Sequence, residues 1–123
     1  MSSGGSTEPQ EAPVSPAAPP IHEAEPMPGP SGAVWYGAEI TFAQAVAGRA
    51  AGLDVIVRGD DTDANRVLAY QIEAAVGPPT RPQKPHRRAG PNALPHFHQL
   101  SRKPDGHTFY ETDNTTKKAR RHP

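Results

Sequence analysis

Proline locks φ near its helical or extended value and donates no backbone hydrogen bond. The sixteen prolines of this 123-residue chain therefore limit where helices and sheets can run. They make up about 13% of the residues against a usual ~5%, and eight of them fall in residues 1–38. Leu, Ile, Val and Phe together number only 18 of 123, below the ~20% at which disorder becomes the expectation. A large hydrophobic core is excluded. So are a disulfide scaffold and a Cys-ligated zinc site, because the chain has no cysteine. No stretch approaches the ~20 apolar residues of a membrane span. No signal peptide is expected, since the N-terminus shows neither a Lys/Arg cluster nor an apolar run.

Residues 1–38 carry four glutamates, Glu8, Glu11, Glu23 and Glu25, and no Lys or Arg. With so few core-forming side chains, burial there is too small to offset ~1–2 kcal/mol of ordering entropy per residue. The expectation is a disordered, PPII-biased linker over 1–38 that tethers the rest of the chain. Charge is divided in the same direction: residues 1–38 carry −4, residues 39–77 carry −3, and residues 78–123 carry +7. The near-neutral total conceals a basic C-terminal third that also holds five of the six histidines. A polyanion is the natural partner for such a surface.

Residues 39–113 carry the signals of a small α+β domain. Thr41 reads as an N-cap for a helix over 43–51, with Phe42, Ala45, Val46 and Arg49 on one face and Gly52 as the stop. The β-branched run over 53–57 reads as a buried strand. Asp60, Asp61 and Asp63 suit a helix N-terminus better than a magnesium cluster. The helix they open runs over 63–76, with Leu68, Ile72, Ala75 and Val76 facing the core, and Gly77-Pro78-Pro79 ends it. A long loop comes next over 78–95, with six prolines and the basic cluster Arg81, Lys84, His86, Arg87 and Arg88. Strands over 96–100 and 107–111, joined by a segment containing Pro104-Asp105-Gly106, form a hairpin. Residues 114–123 read as a basic flexible tail. The expected order is thus helix–strand–helix–hairpin, behind a disordered Pro-rich segment. Trp35 and Tyr36, at the junction, are expected to pack on the fold.

A symmetric six-residue connection sets Leu100 opposite His107, His98 opposite Phe109 and His96 opposite Glu111. Alternation then gives His96, His98, Leu100, His107, Phe109 and Glu111 one face of the hairpin. Phe97, Gln99, Thr108 and Tyr110 take the other. Three imidazoles and a carboxylate beside Arg102 and Lys103 suit metal-independent RNA cleavage. That reaction needs a base for the 2′-hydroxyl, an acid for the leaving 5′-oxygen and cations for the crowded phosphorane. The candidate catalytic residues are His96, His98, His107 and Glu111. The candidate substrate-binding residues are Arg87, Arg88, Arg102, Lys103, Thr108 and Tyr110, and no cofactor is required. Two other accounts of these side chains stay open: a solvated strand face that grips phosphates without cutting, and a zinc site built on His96, His98 and His107.

The stretch Ala89-Gly90-Pro91-Asn92-Ala93-Leu94-Pro95-His96-Phe97-His98, together with Gly106-His107-Thr108-Phe109-Tyr110-Glu111, resembles the C-terminal toxin regions of bacterial polymorphic toxin systems. The segment from Ile40-Thr41-Phe42 to Arg66 shares the resemblance, which spans roughly residues 39–113. It implies a small nuclease-like effector, often a metal-independent ribonuclease, delivered by secretion into a target cell's cytoplasm. It also implies RNA as substrate and a cognate immunity protein, acidic enough to cover the His/Arg face. The expected state is a monomer, or a heterodimer with that immunity protein.

Overall fold

A computed structural model describes residues 18–28, 32–83, 93–112 and 118–123. The α+β expectation holds: two helices pack on one face of a six-stranded mixed sheet. In chain order the elements are β1 (Ile21–Pro26), β2 (Val34–Ile40), α1 (Phe42–Ala50), β3 (Asp54–Val57), α2 (Thr62–Val76), β4 (His96–Phe97), β5 (Thr108–Tyr110) and β6 (Arg120–Arg121). The sheet order is β4-β5-β3-β1-β2-β6, with β3–β5 and β2–β6 parallel and the other pairs antiparallel. Among the described residues no helix is long and apolar enough to cross a membrane.

Two strands lie where a linker was expected over 1–38, and β1 is central to the sheet rather than peripheral. The prolines bracket this strand instead of interrupting it. Pro19 and Pro20 precede Ile21, and Pro26 closes the strand, so residues 21–25 keep every N–H for pairing with β2 and β3. Pro20 itself accepts from the Arg58 N–H at 2.9 Å. The boundary expected at 38/39 therefore falls inside β2. Residues 1–17 of the expected linker lie outside the described residues. At the other end, the expected flexible tail over 114–123 supplies β6, which pairs Arg120 with Trp35 and Arg121 with Tyr36. Main-chain pairing is indifferent to side-chain charge, so both arginines extend the sheet while staying exposed.

Local chemistry forms the helices where it was expected. Thr41 and Gln44 make a reciprocal capping box at α1, and Gly52 lies just past the helix with φ of 86°. Asp61 caps α2 by accepting from the N–H groups of Asp63 and Ala64. The buried stripe of α2, however, is Asn65, Ala69, Ile72 and Glu73, while Ala75 is exposed. Apolar periodicity passes over Asn65 and Glu73. Both enter the core with hydrogen-bonded partners: Asn65 Nδ2 donates to the carbonyls of Gly59 at 2.8 Å and Glu111 at 3.0 Å, while its buried Oδ1 has no partner among the described residues, and Glu73 accepts from Arg49, Gln99 and Thr108. Phe42, placed on the core face of α1 by its spacing, stays exposed at the helix start.

Strand alternation divides the core in two. Ile21, Val55, Val57, Phe97 and Tyr110 face the helices and meet Ala45, Ala69 and Ile72. Val34, Ile56, Leu94, Phe109 and Ala119 cluster on the opposite face of the sheet. Burial pushes the Tyr110 hydroxyl above the ordinary tyrosine range, with the charge of Arg66 opposing it.

Candidate active site

The strands expected over 96–100 and 107–111 shorten to His96–Phe97 and Thr108–Tyr110, and they pair antiparallel with a register two residues from the symmetric one: His96 lies opposite Phe109, and Phe97 opposite Thr108. An even shift preserves the faces. The three imidazoles consequently still meet on one side, with ring centroids 4.7 Å apart for His96–His107 and 6.1 Å for both His96–His98 and His98–His107. Phe109 borders them at 5.7 Å from His96 and 5.4 Å from His107. The backbone around His96 and His98 is held from the outer side as well. Gln83 exchanges two hydrogen bonds with His96, and the Thr80 N–H donates to the His98 carbonyl.

Each imidazole has its own anchor. His96 is buried, with Nδ1 3.2 Å from the Leu94 carbonyl. His98 is half-buried, with Nδ1 2.9 Å from the Gln99 carbonyl. A carbonyl only accepts, so in that contact Nδ1 of His98 carries the proton and Nε2 holds the lone pair. His107 is the open member, with 39% of its side chain exposed, and its Nδ1 lies 3.7 Å from Asp54 Oδ1. The same oxygen accepts the His107 backbone N–H at 2.7 Å. Protonated, His107 and Asp54 form an ion pair.

Asp54 is the residue that sequence reasoning missed. It comes beside His107 only because β3 and β5 pair in parallel, starting from Val55 opposite Thr108. An acid opening an otherwise β-branched run is the one local hint, and it carries no information about its partner.

Glu111 leaves the set expected for catalysis. The two-residue shift moves it past His96, and its fully buried carboxylate accepts from the N–H groups of Lys118 and Ala119, each at 3.0 Å, with Arg58 Nε at 3.5 Å. It fastens the segment leading to β6. Thr108 and Tyr110, expected to position substrate, face the helices instead. Thr108 is buried and its hydroxyl donates to Glu73 Oε2 at 2.6 Å, while Tyr110 packs against Phe97 at 5.8 Å. Strand alternation accounts for both, since they occupy the positions between the inward residues of the other face.

Arg102 and Lys103 are exposed on the loop between β4 and β5, where Arg102 has φ of 66° and donates its N–H to the Gln99 carbonyl at 3.0 Å. Buried Arg49 ties down the end of that loop, donating to the carbonyls of Asp105 at 2.7 Å and Gly106 at 3.1 Å. Arg87 and Arg88 lie outside the described residues, as do Lys84 and His86. Among the described residues no three His, Asp or Glu side chains are arranged to hold a metal ion. The His96 and His107 rings meet nearly edge to face, at 78°.

No family model matches the chain, and no curated protein or solved structure matches it.

Proposed function

We propose that this chain is a toxin-like effector domain that cleaves RNA by metal-independent transesterification. One observation carries the reading: three imidazoles within 6.1 Å of one another, one of them set against a carboxylate. In the proposed reaction His98 Nε2 takes the proton of the 2′-hydroxyl as its oxygen attacks phosphorus. The bond from phosphorus to the 5′-oxygen breaks, and His107, protonated beside Asp54, gives its proton to that oxygen. The products are a 2′,3′-cyclic phosphate and a free 5′-hydroxyl. His96 packs against both rings and fixes their spacing, and Arg102 and Lys103 attract the phosphate chain. An acidic immunity protein covering this face, and delivery into a target cell's cytoplasm, belong to the same proposal.

The test is incubation of the purified protein with total RNA in excess chelator, with the fragment ends then analysed. Cyclic phosphate ends that vanish in His98→Ala and His107→Ala support the reading. RNA left intact, or cleavage indifferent to both substitutions, overturns it. Activity restored by zinc or magnesium indicates a metal-dependent enzyme. Salt-sensitive RNA binding without products indicates a binding module that grips phosphates through the same exposed cations.

A further inference from the structure

A cavity of about 280 Å³ opens beside His96 and His107 on the helix-free face of the sheet. Its walls include Val34, Ala93, Leu94 and Phe109, all buried, and among the described residues lining it the polar side chains are the two imidazoles. We infer that this cavity is a base subsite, which takes one unpaired nucleobase of a single-stranded RNA next to the phosphodiester handled by the histidines. The inference rests on the ribonuclease reading for the identity of the polymer, and on the cavity itself for the part of the polymer that enters.

Three properties select a base. Apart from the two imidazoles the described walls are apolar, so they favour the faces of a nucleobase, which gain from leaving water, over a phosphate or a sugar. Phe109 and His96 present aromatic surface, and single-stranded nucleic acids are held by stacking bases on such surfaces. The volume lies just under the ~300 Å³ at which drug-sized ligand pockets begin, which suits one ring system and not a paired duplex. A base in this position places its own ribose and phosphate at the cavity mouth, against His107. Single-stranded RNA should then be preferred to duplex, with little discrimination among the four bases, because few polar groups are available to read their edges.

The probe is a 2′-deoxy trinucleotide with 2-aminopurine at its centre, which lacks the attacking hydroxyl and so binds without being cut, compared with the same trinucleotide abasic at that position. The fluorescence of 2-aminopurine should change and saturate on binding, and the abasic competitor should bind at least about tenfold more weakly. Ala93→Leu, which fills the cavity, should remove most of that difference, and Phe109→Leu should reduce it, with thermal unfolding confirming that each variant is folded. Equal affinity for the two trinucleotides overturns the base subsite and needs no variant to establish it. Discrimination that persists in a folded Ala93→Leu protein places the base elsewhere and overturns it too. Cleavage is read separately. RNA cut by a protein that binds the base-bearing and abasic trinucleotides equally removes the subsite alone, whereas base binding without any cleavage leaves the subsite and removes the ribonuclease.

Discussion

The Asp54 carboxylate accepts the backbone N–H of His107 at 2.7 Å and stands 3.7 Å from Nδ1 of the same residue. One oxygen thus fixes the chain position of the imidazole and offers it an ionic partner. These two functions separate on substitution. In Asp54→Asn the amide oxygen can still accept the backbone N–H, so the fold should survive while the negative charge is lost. His107→Ala should lower cleavage by ~10²–10⁴-fold, the usual contribution of a positioned proton donor. Asp54→Asn should produce a smaller loss, because the backbone anchor of His107 stays while the imidazolium loses its ionic partner. Initial rates on a short RNA check both. An unchanged rate in Asp54→Asn would remove Asp54 from the site.

Arg49 is the structural counterpart of that pair. It is fully buried on α1, bonds Glu73 of α2 through Nε, and donates to the carbonyls of Leu53, Asp105 and Gly106. Glu73 also accepts from Gln99 and Thr108, so one network joins both helices to the loop that delivers His107. Removing one partner of a buried pair leaves an uncompensated charge and costs ~3–5 kcal/mol. Since small domains have only ~5–15 kcal/mol in all, Arg49→Met should leave a protein close to unfolding at room temperature. Arg49→Met with Glu73→Leu should lose less than the two single changes added together. Urea denaturation of the four proteins measures the difference, and strict additivity would mean the pair is not coupled.

The features legible in the sequence were those that depend on near neighbours. The capping box of Thr41 and Gln44, the cap at Asp61 and the stop at Gly52 are all decided within a few residues, and all form. The clustering of His96, His98 and His107 was legible for a related reason: face membership depends on alternation, which survives an even slip in register. The slip itself was not legible, because the pairing of 79–83 with the strand and the grip of Arg49 on residues 105–106 enter from outside the hairpin. Strand β1 was hidden by composition, where proline density outweighed the five-residue window between Pro20 and Pro26. Asp54 and Glu111 had to exchange roles, and only the long-range pairing of β3 with β5 decides that.

The Asp60–Asp63 cluster gives a stability prediction. Asp61 Oδ1 accepts from Asp63 N at 2.9 Å and Ala64 N at 3.2 Å, which satisfies two donors of the first turn of α2. Asp61→Ala should therefore cost about 1 kcal/mol, readable as a lower denaturation midpoint with an unchanged slope. Because the acids serve the helix end, magnesium should leave the midpoint of the parent protein where it is. A magnesium-dependent rise would reassign them to a cation.

Arg102 and Lys103 project from the loop that Arg49 anchors, and both are exposed. Exposed cations of this kind act on phosphates through counterion release rather than through base contacts. Arg102→Ala and Lys103→Ala should each weaken RNA binding by similar factors on all sequences, and each should reduce the salt slope of log K by about 1. Binding titrations at several salt concentrations test this. A substitution that changed sequence preference instead would mean the side chain reads a base.

His122 clasps the strand at the β2 edge of the sheet. His122 Nδ1 donates to the Pro123 carbonyl at 3.1 Å, Nε2 donates to Glu25 Oε1 at 2.8 Å, and the ring meets Trp35 edge-on at 4.6 Å. The Pro123 contact first and the Glu25 contact second raise the His122 pKa above the ordinary histidine value of 6.5. A pKa raised on folding means that the folded state holds its proton more tightly than the unfolded one. The resulting stabilisation is complete below the unfolded value and is lost as pH rises through the folded value. Attachment of β6 to β2 should accordingly loosen from mildly acidic toward alkaline pH. The backbone N–H of His122, which donates to the Tyr36 carbonyl at 2.8 Å, reports the event directly. Its hydrogen-exchange protection, corrected for intrinsic rate across roughly pH 5 to 8, should fall with rising pH in the parent protein. In Glu25→Gln the fall should be shallower, because the carboxylate no longer favours the imidazolium. Protection that is flat with pH in the parent would show that the clasp contributes nothing to holding β6.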